Sequence, residues 1–587
     1  MTMRHHLPKV TRCTVIAVAS ALLPLALGAQ PARVTSAATT PTRAPAAGVA
    51  RFDWFEYTGR DAVYDQRTRK PDEFTNPILM GFYPDPSITR AGDAYYLVNS
   101  TFTYFPGIPV FRSRDLVHWT QIGNVIDRPS QLSFDTLGVS RGVFAPAIAY
   151  HAGTFYVVNT CVDCGGNFLV TATNPAGPWS DPVWLGFDGI DPSLFFDDDG
   201  KAYVVNNGPP IGTPLYDGHR AIWIQELDVA AKRLVGERTL LVNGGVDITK
   251  KPSWIEGPHL LKREGRYYMI AAEGGTGDQH SEVVFGSDAV RGPFTPWPGN
   301  PILTQRQLDP NRADPITSTG HADFVTTPNG DTWAVFLGTR PYANDTYNTG
   351  RETFLMPVTW RDGWPVLTSG EMGVPYVARR PALPRQPSPA IPTSGNFTVR
   401  DDFSARALAP YWLQLRTPRE PSLDLGASPG WLSLTARPVA LSSNGHPTFV
   451  GRRQQHLTAT ATTAMQWTPA GDGDRAGLVA FQGENAWYFL AVGRERGASV
   501  VQVIRRTGRG TAAADSVMVS APLPATRAGG AIQLRIRARR GVYDFLYATT
   551  PGKWTTLLEG ADGTMLSTKS AGGFVGTLFG MHAYRAP

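Results

Sequence analysis

With only three cysteines in 587 residues, the chain is not a disulfide-stapled scaffold, and a zinc site at its lone Cys161-x-x-Cys164 pair would need two more ligands. Charge is sparse too. Charged residues make up 18% of the chain, and a formal net charge of +6 is small for this length and gives no reason to invoke nucleic acid. No segment after residue 27 is apolar and long enough to cross a bilayer, so membrane insertion is not expected. A long amphipathic helical pattern is also missing, which sets coiled coils aside. Hydrophobic residues at 42% exclude disorder, and glycine lacks the three-residue period of collagen. Turn-formers and aromatics are plentiful instead: 60 Gly, 49 Pro, and 11% Phe, Trp and Tyr. That balance suits a loop-heavy, all-β chain, and its length calls for more than one domain.

Residues 1–29 read as a secretory signal, with Arg4, Lys9 and Arg12 ahead of a short apolar run from Cys13 to Leu27. A secreted or periplasmic location follows, and there Cys161 and Cys164 are expected to form a short structural disulfide. Residues 30–72, which begin rich in Ala, Thr and Pro, are expected to be a flexible lead-in.

An internal repeat then sets the architecture. A lead residue beside Pro or Ala opens a short hydrophobic segment, a turn, and an aromatic, β-branched run. The copies begin at Asp85-Pro-Ser-Ile-Thr, Phe144-Ala-Pro-Ala-Ile, Asp191-Pro-Ser-Leu-Phe, Glu256-Gly-Pro-His-Leu and His321-Ala-Asp-Phe-Val, spaced by 59, 47, 65 and 65 residues. Gly92-Asp93, Gly153, Asp199-Gly200, Glu264-Gly265 and Asn329-Gly330 supply hairpin turns between the paired runs. Five such units, each the size of a four-stranded sheet, predict a five-bladed β-propeller over residues 73–380. Its lead residues should converge on one axial funnel. Residues 381–396 form a Pro-rich linker, and the alternation in Ile532-Gln-Leu-Arg-Ile-Arg-Ala predicts a β-sandwich of the jelly-roll type over residues 397–587.

Three of the five funnel positions, Asp85, Asp191 and Glu256, are carboxylates. Gathering acids is costly unless they are paired or hydrogen-bonded, so packing alone explains them poorly. A metal site is one alternative. Hydrolysis of a glycosidic bond is the other: one carboxylate takes a proton, a second carboxylic acid gives one, and a third acid nearby keeps the donor protonated. Aromatics that interleave with the acids (Phe82, Tyr83, Phe102, Tyr104, Phe105, Phe144, Trp254 and Trp297) offer faces for sugar rings, while Arg351, His321, Asn99 and Thr276 offer groups for hydroxyls.

Phe82-Tyr-Pro-Asp-Pro-Ser, Gly189-Ile-Asp-Pro-Ser, Ile255-Glu-Gly-Pro-His, Ala272-Glu-Gly-Gly-Thr-Gly, Gly320-His-Ala-Asp and Gly350-Arg-Glu-Thr-Phe together resemble glycoside hydrolase family 43. The similarity is to its β-xylosidase/α-L-arabinofuranosidase branch with an appended concanavalin A-like sandwich. It continues through Val450-Gly-Arg-Arg-Gln-Gln-His and Ala571-Gly-Gly-Phe-Val-Gly. The resemblance implies that Asp85 is the general base, Glu256 the general acid, and Asp191 the group that tunes and orients it. It implies that Arg351 clamps sugar hydroxyls, Phe102 and Phe144 line the pocket, and His321 lies at its floor near a structural calcium ion, with no cofactor required. Substrate would be a xylose- or arabinose-bearing oligosaccharide or polysaccharide, cut with inversion. In this branch Trp is common where this chain has Phe144 and Tyr104, which bears on substrate preference. Retaining propeller enzymes that cleave fructosides carry Asn-Asp-Pro, Arg-Asp-Pro and Glu-Cys motifs, which do not match. A C-terminal loop is expected to close the cleft into a pocket, with Asn444–Phe449 or Arg452–His456 as candidates.

Overall fold

The computed structural model describes residues 45–587, apart from 68, 509–512 and 524–529. The signal at residues 1–29 lies outside the described residues. The described residues fall in one compact unit whose regular structure is almost all strand, and no described helix is long and apolar enough to cross a membrane.

Five sheets begin with the inner strands Ser87–Ala91, Ala147–His151, Ile190–Phe196, Glu256–Arg263 and Thr317–Thr326. Each inner strand touches the next, and the fifth touches the first, so the sheets stand as blades around an axis. Every inner strand turns back into an antiparallel partner, as Glu256–Arg263 does into Arg266–Glu273. At the tip of that hairpin both Glu264 (φ 52°) and Gly265 (φ 81°) are left-handed, the conformation that a two-residue turn of matching twist requires. The ring is locked where the start of the propeller joins its last blade. Leu79 and Thr353 exchange backbone hydrogen bonds, and the Asn76 side chain pairs with both the N–H and the carbonyl of Leu355. Cys161 and Cys164 are joined in a disulfide beside the turn between Thr154–Val162 and Gly166–Ala172.

The C-terminal domain packs an eight-stranded sheet on a six-stranded one. The strands Ile532–Arg539 and Val542–Ala548 coincide with the alternating segments of the sequence.

Residues 30–44 of the expected flexible lead-in lie outside the described residues, but the rest of it requires correction. Val49–Gly59 is a strand inside the larger sandwich sheet, between Thr458–Trp467 on one side and Leu432–Thr435 and Phe397–Asp401 on the other. Its Phe52, Phe55 and Tyr57 join the sandwich core with Leu434, Met465, Leu490 and Phe579. Composition concealed this strand because the low-complexity stretch before it runs almost to its first residue. The helix Ala62–Gln66 follows it. Asp61, just before that helix, is buried against Arg340, whose guanidinium also binds Glu352 of the fifth blade and the Gln455 carbonyl of the sandwich. One buried cation thus ties both domains to the N-terminal segment.

Phe52 is fully buried, so Phe52→Ala should lower the unfolding free energy by about 3–5 kcal/mol. Urea denaturation followed by tryptophan fluorescence measures this, and a loss below about 1 kcal/mol would return the segment to a peripheral role.

Candidate active site

All five lead residues line one cavity of about 430 Å³, together with Phe102, Thr276, Arg351, Trp254, Arg220, Arg141 and Phe574. A repeated backbone device aims them inward. In blades three, four and five the ladder skips one residue, between Ile190 and Ser193, Glu256 and His259, and Gly320 and Asp323. Such a bulge frees a residue from the sheet and re-aims the side chains around it. Asp191 (φ 52°) and His321 (φ 53°) sit inside these bulges in the left-handed region, and Asp85 (φ 52°) takes the same conformation just before its strand. Each non-glycine residue held there costs about 1–3 kcal/mol, with Asp among the better tolerated. Pro192 and Pro258 fall in the bulges, where no ladder N–H is needed. Gly257 is required twice over: its φ is +55°, and a Cβ there would lie 2.6 Å from Nε2 of the His321 ring.

The three acids differ in their partners. Asp85 accepts hydrogen bonds from Arg351 Nη1 (2.7 Å) and Ser100 Oγ (2.6 Å). Burial alone raises its pKa, but the Arg351 cation and the Ser100 hydroxyl outweigh that and hold it below the ordinary 3.8. His321 Nδ1 stands 3.8 Å from the same carboxylate. Burial pushes that imidazole down to about 4, so at neutral pH it is uncharged and Arg351 is the cation beside Asp85. Glu256 goes the other way, pushed up to about 7 by burial and then by the Asp85 charge. Asp191 is raised well above its ordinary value by burial, then by Glu256 and Asp85, although the Gly257 N–H donates to it. The cavity therefore holds one bare carboxylate together with a pair that retains a proton at neutral pH. That is what acid–base cleavage of an acetal needs.

The cavity wall is aromatic. Phe102 packs edge-on against Phe144 with ring centroids 5.3 Å apart, and Phe574 stacks on Phe102 at 6.0 Å and meets Phe144 edge-on at 5.6 Å. Trp254 carries the Arg220 guanidinium 4.2 Å above its ring. Other aromatics expected near sugar lie elsewhere. Phe82 and Tyr104 are buried behind Phe102, Tyr83 and Phe105 belong to blade cores, and Trp297 stacks with Trp364 in a different cleft. Asn99 is a buried brace that donates to the Tyr83 and Pro84 carbonyls just before Asp85.

The sandwich reaches the cavity through Phe574, not through either of the two stretches expected. In the Asn444–Phe449 stretch, Asn444 donates to the Thr136 carbonyl and His446 pairs with Asp135. Arg453 and Gln455 instead hold the Phe82 and Met80 carbonyls from behind. Phe574 lies in the Ala571-Gly-Gly-Phe-Val-Gly stretch, which carried a family signal but no hint of direction. Arg220 and Arg141 had no signal, because both sit on irregular loops.

Among the described residues, no three or more His, Cys, Asp or Glu come together as a metal-ligating group. Calcium takes roughly six to eight oxygens, whereas His321 presents ring nitrogens beside an Asp85 carboxylate already engaged by Arg351 and Ser100. These residues do not make a calcium cage.

Propeller, acid trio and aromatic wall define a glycoside hydrolase. A family model for glycosyl hydrolases family 43 matches residues 74–365, a second for the β-xylosidase C-terminal concanavalin A-like domain matches residues 400–586, and the chain belongs to glycoside hydrolase family 43. It is 39% identical to a xylosidase/arabinosidase of Butyrivibrio fibrisolvens, over 86% of this chain and 95% of that one. It is 38% identical to a non-reducing end α-L-arabinofuranosidase of Bacteroides ovatus, over 87% and 91%. Among solved structures, a GH43_12 protein from a capybara gut metagenome matches with a TM-score of 0.85 and 41% identity, over 91% of this chain and 99% of that one. A xylan β-1,4-xylosidase from Bacillus halodurans C-125 matches at 0.78 and 34%, over 87% and 96%.

Arg351→Met leaves Asp85 buried without its cation, so at pH 7 the fold should lose about 3–5 kcal/mol. In the variant burial governs, the carboxyl titrates above 3.8, and it is neutral in mild acid. The deficit should therefore shrink as pH falls from 7 towards 4. Denaturant midpoints for both proteins across that range check this; a constant deficit would contradict the charge assignment.

Proposed function

We propose that this protein releases single pentose units, β-D-xylose foremost, from the non-reducing ends of xylo-oligosaccharides by a one-step inverting mechanism. The observation that carries this reading is that Asp85, bound by Arg351 and Ser100, shares one cavity with the buried acids Glu256 and Asp191. Asp85, kept ionised by Arg351 and Ser100, draws a proton from water as it attacks the anomeric carbon. Glu256 gives its proton to the leaving oxygen. Asp191 shares the pair's proton and, through the Gly257 N–H, holds the acid in place. Arg351, His321 and Thr276 would meet sugar hydroxyls, with Phe102 and Phe144 against the ring. Phe574 closes one side, which favours removal of terminal sugars over internal cleavage.

Removal of α-L-arabinofuranose is the second reading. The relatives named for that activity favour it, and Phe144 in place of a Trp leaves room for a differently shaped pentose. A non-catalytic sugar-binding role has less support, since all three acids are present and line one cavity. The joined cysteine pair, with the signal-like N-terminal sequence, is consistent with work outside the cytoplasm.

Proton NMR of xylobiose digestion tests substrate and stereochemistry together: xylose should be released first as the α anomer, and a β anomer would overturn inversion. Turnover of arabinofuranosides alone would favour the second reading, and turnover of neither pentoside would remove both. Glu256→Gln and Asp85→Asn should each lower kcat by about 10²–10⁴, measured with aryl pentosides. The kcat/KM profile should fall on the alkaline side near pH 7, where Glu256 loses its proton, and on the acid side only below the ordinary Asp value. An alkaline limb above pH 9 would count against Glu256 as the acid.

A further inference from the structure

Among the sixteen residues that line the cavity, Arg141 alone is exposed, and it therefore marks the mouth. Its Nε donates to Asp163 Oδ2 at 2.6 Å, and among the described residues its two terminal nitrogens have no partner. Asp163 lies in the turn flanked by Cys161 and Cys164, and its own φ is +63°. The same turn serves two further purposes. Val162 forms part of the cavity wall, and Gly165 lies beneath the Trp184 indole, so closely that a Cβ on Gly165 would sit 2.3 Å from the ring. Trp184 is 48% exposed, one of the few large hydrophobic side chains left in solvent. Its ring is steadied edge-on by Phe168 at 5.7 Å. One short disulfide-braced turn thus contacts both a cation with free donors, through Asp163, and an exposed indole, over Gly165.

We propose that Arg141 and Trp184, carried by the turn 161–166, form a binding site for the leaving-group sugars of the substrate. This inference rests on the pentosidase reading. The sugar being released occupies the closed end near Asp85 and Arg351, so the remainder of the chain has to leave past the open mouth. There the Arg141 nitrogens donate to ring and hydroxyl oxygens of the next sugar, and the indole supplies an apolar face for a sugar beyond it. The ligand class is a neutral β-linked pentose oligosaccharide of two or more residues. Asp163 and the disulfide act as positioning elements: they orient the guanidinium and touch no substrate themselves.

The experiment compares kcat/KM on xylotriose with that on an aryl β-xyloside, which carries no leaving-group sugar, and reads the ratio of the two. Arg141→Ala and Trp184→Ala should each lower that ratio at least about fivefold, chiefly through KM for the trisaccharide. Asp163→Asn should act in the same direction more weakly. Equal losses on both substrates would mean that these residues merely support the pocket, and an unchanged ratio would mean that leaving-group sugars bind elsewhere; either overturns the proposal while the pentosidase reading stands. If the unaltered protein hydrolyses neither substrate, the reading beneath it fails and the proposal falls with it.

Discussion

A single buried ion pair organises the site. Among the described residues, Arg351 is the one cation in hydrogen-bonding contact with the acid trio, and it binds Asp85. In a site closed to bulk water, a carboxylate with such a partner stays ionised, while neighbours that feel its charge without one of their own hold their protons. The contrast between Asp85 and the Asp191–Glu256 pair follows from where one guanidinium is placed. Because each acid influences the others, the trio titrates as a unit.

Holding that arrangement requires backbone distortion, and the propeller supplies it in regular form. The same one-residue bulge recurs at Asp191, Glu256 and His321, and lead residues adopt left-handed conformations that an isolated strand would avoid. Closure of the ring resists relaxation of this strain. The N-terminal segment clamps the last blade through Asn76 and Leu79, and Asn99 braces the carbonyls leading into Asp85. The sandwich is part of the same construction. Its first strand precedes the propeller in the chain, its Arg453 and Gln455 grip the segment just before Asp85, and its Phe574 completes the cavity wall.

Much of this could be read in the amino-acid order, and the reasons differ from part to part. Blade hairpins were legible because turn residues and aromatic, β-branched runs are local signals; the convergence of Asp85, Phe144, Asp191, Glu256 and His321 followed from their repetition. The bulges were not legible, since a skipped rung in a ladder depends on pairing partners some fifteen residues away. Val49–Gly59 is hidden in the sequence for a related reason: its partners lie hundreds of residues later, at Phe397–Asp401 and Thr458–Trp467. Phe574, Arg220 and Arg141 reach the cavity from loops whose direction only the folded chain defines. Conversely, Tyr104 and Phe82 looked like sugar platforms because composition cannot separate an aromatic that faces a cavity from one that packs behind it.

The most direct test of the central claim is the location of protons in the acid trio, seen by neutron diffraction on crystals exchanged into heavy water near pH 6. Deuterium should be found on the Asp191–Glu256 pair and absent from Asp85, with Arg351 fully deuterated beside it. Deuterium on Asp85, or three bare carboxylates, would contradict the account.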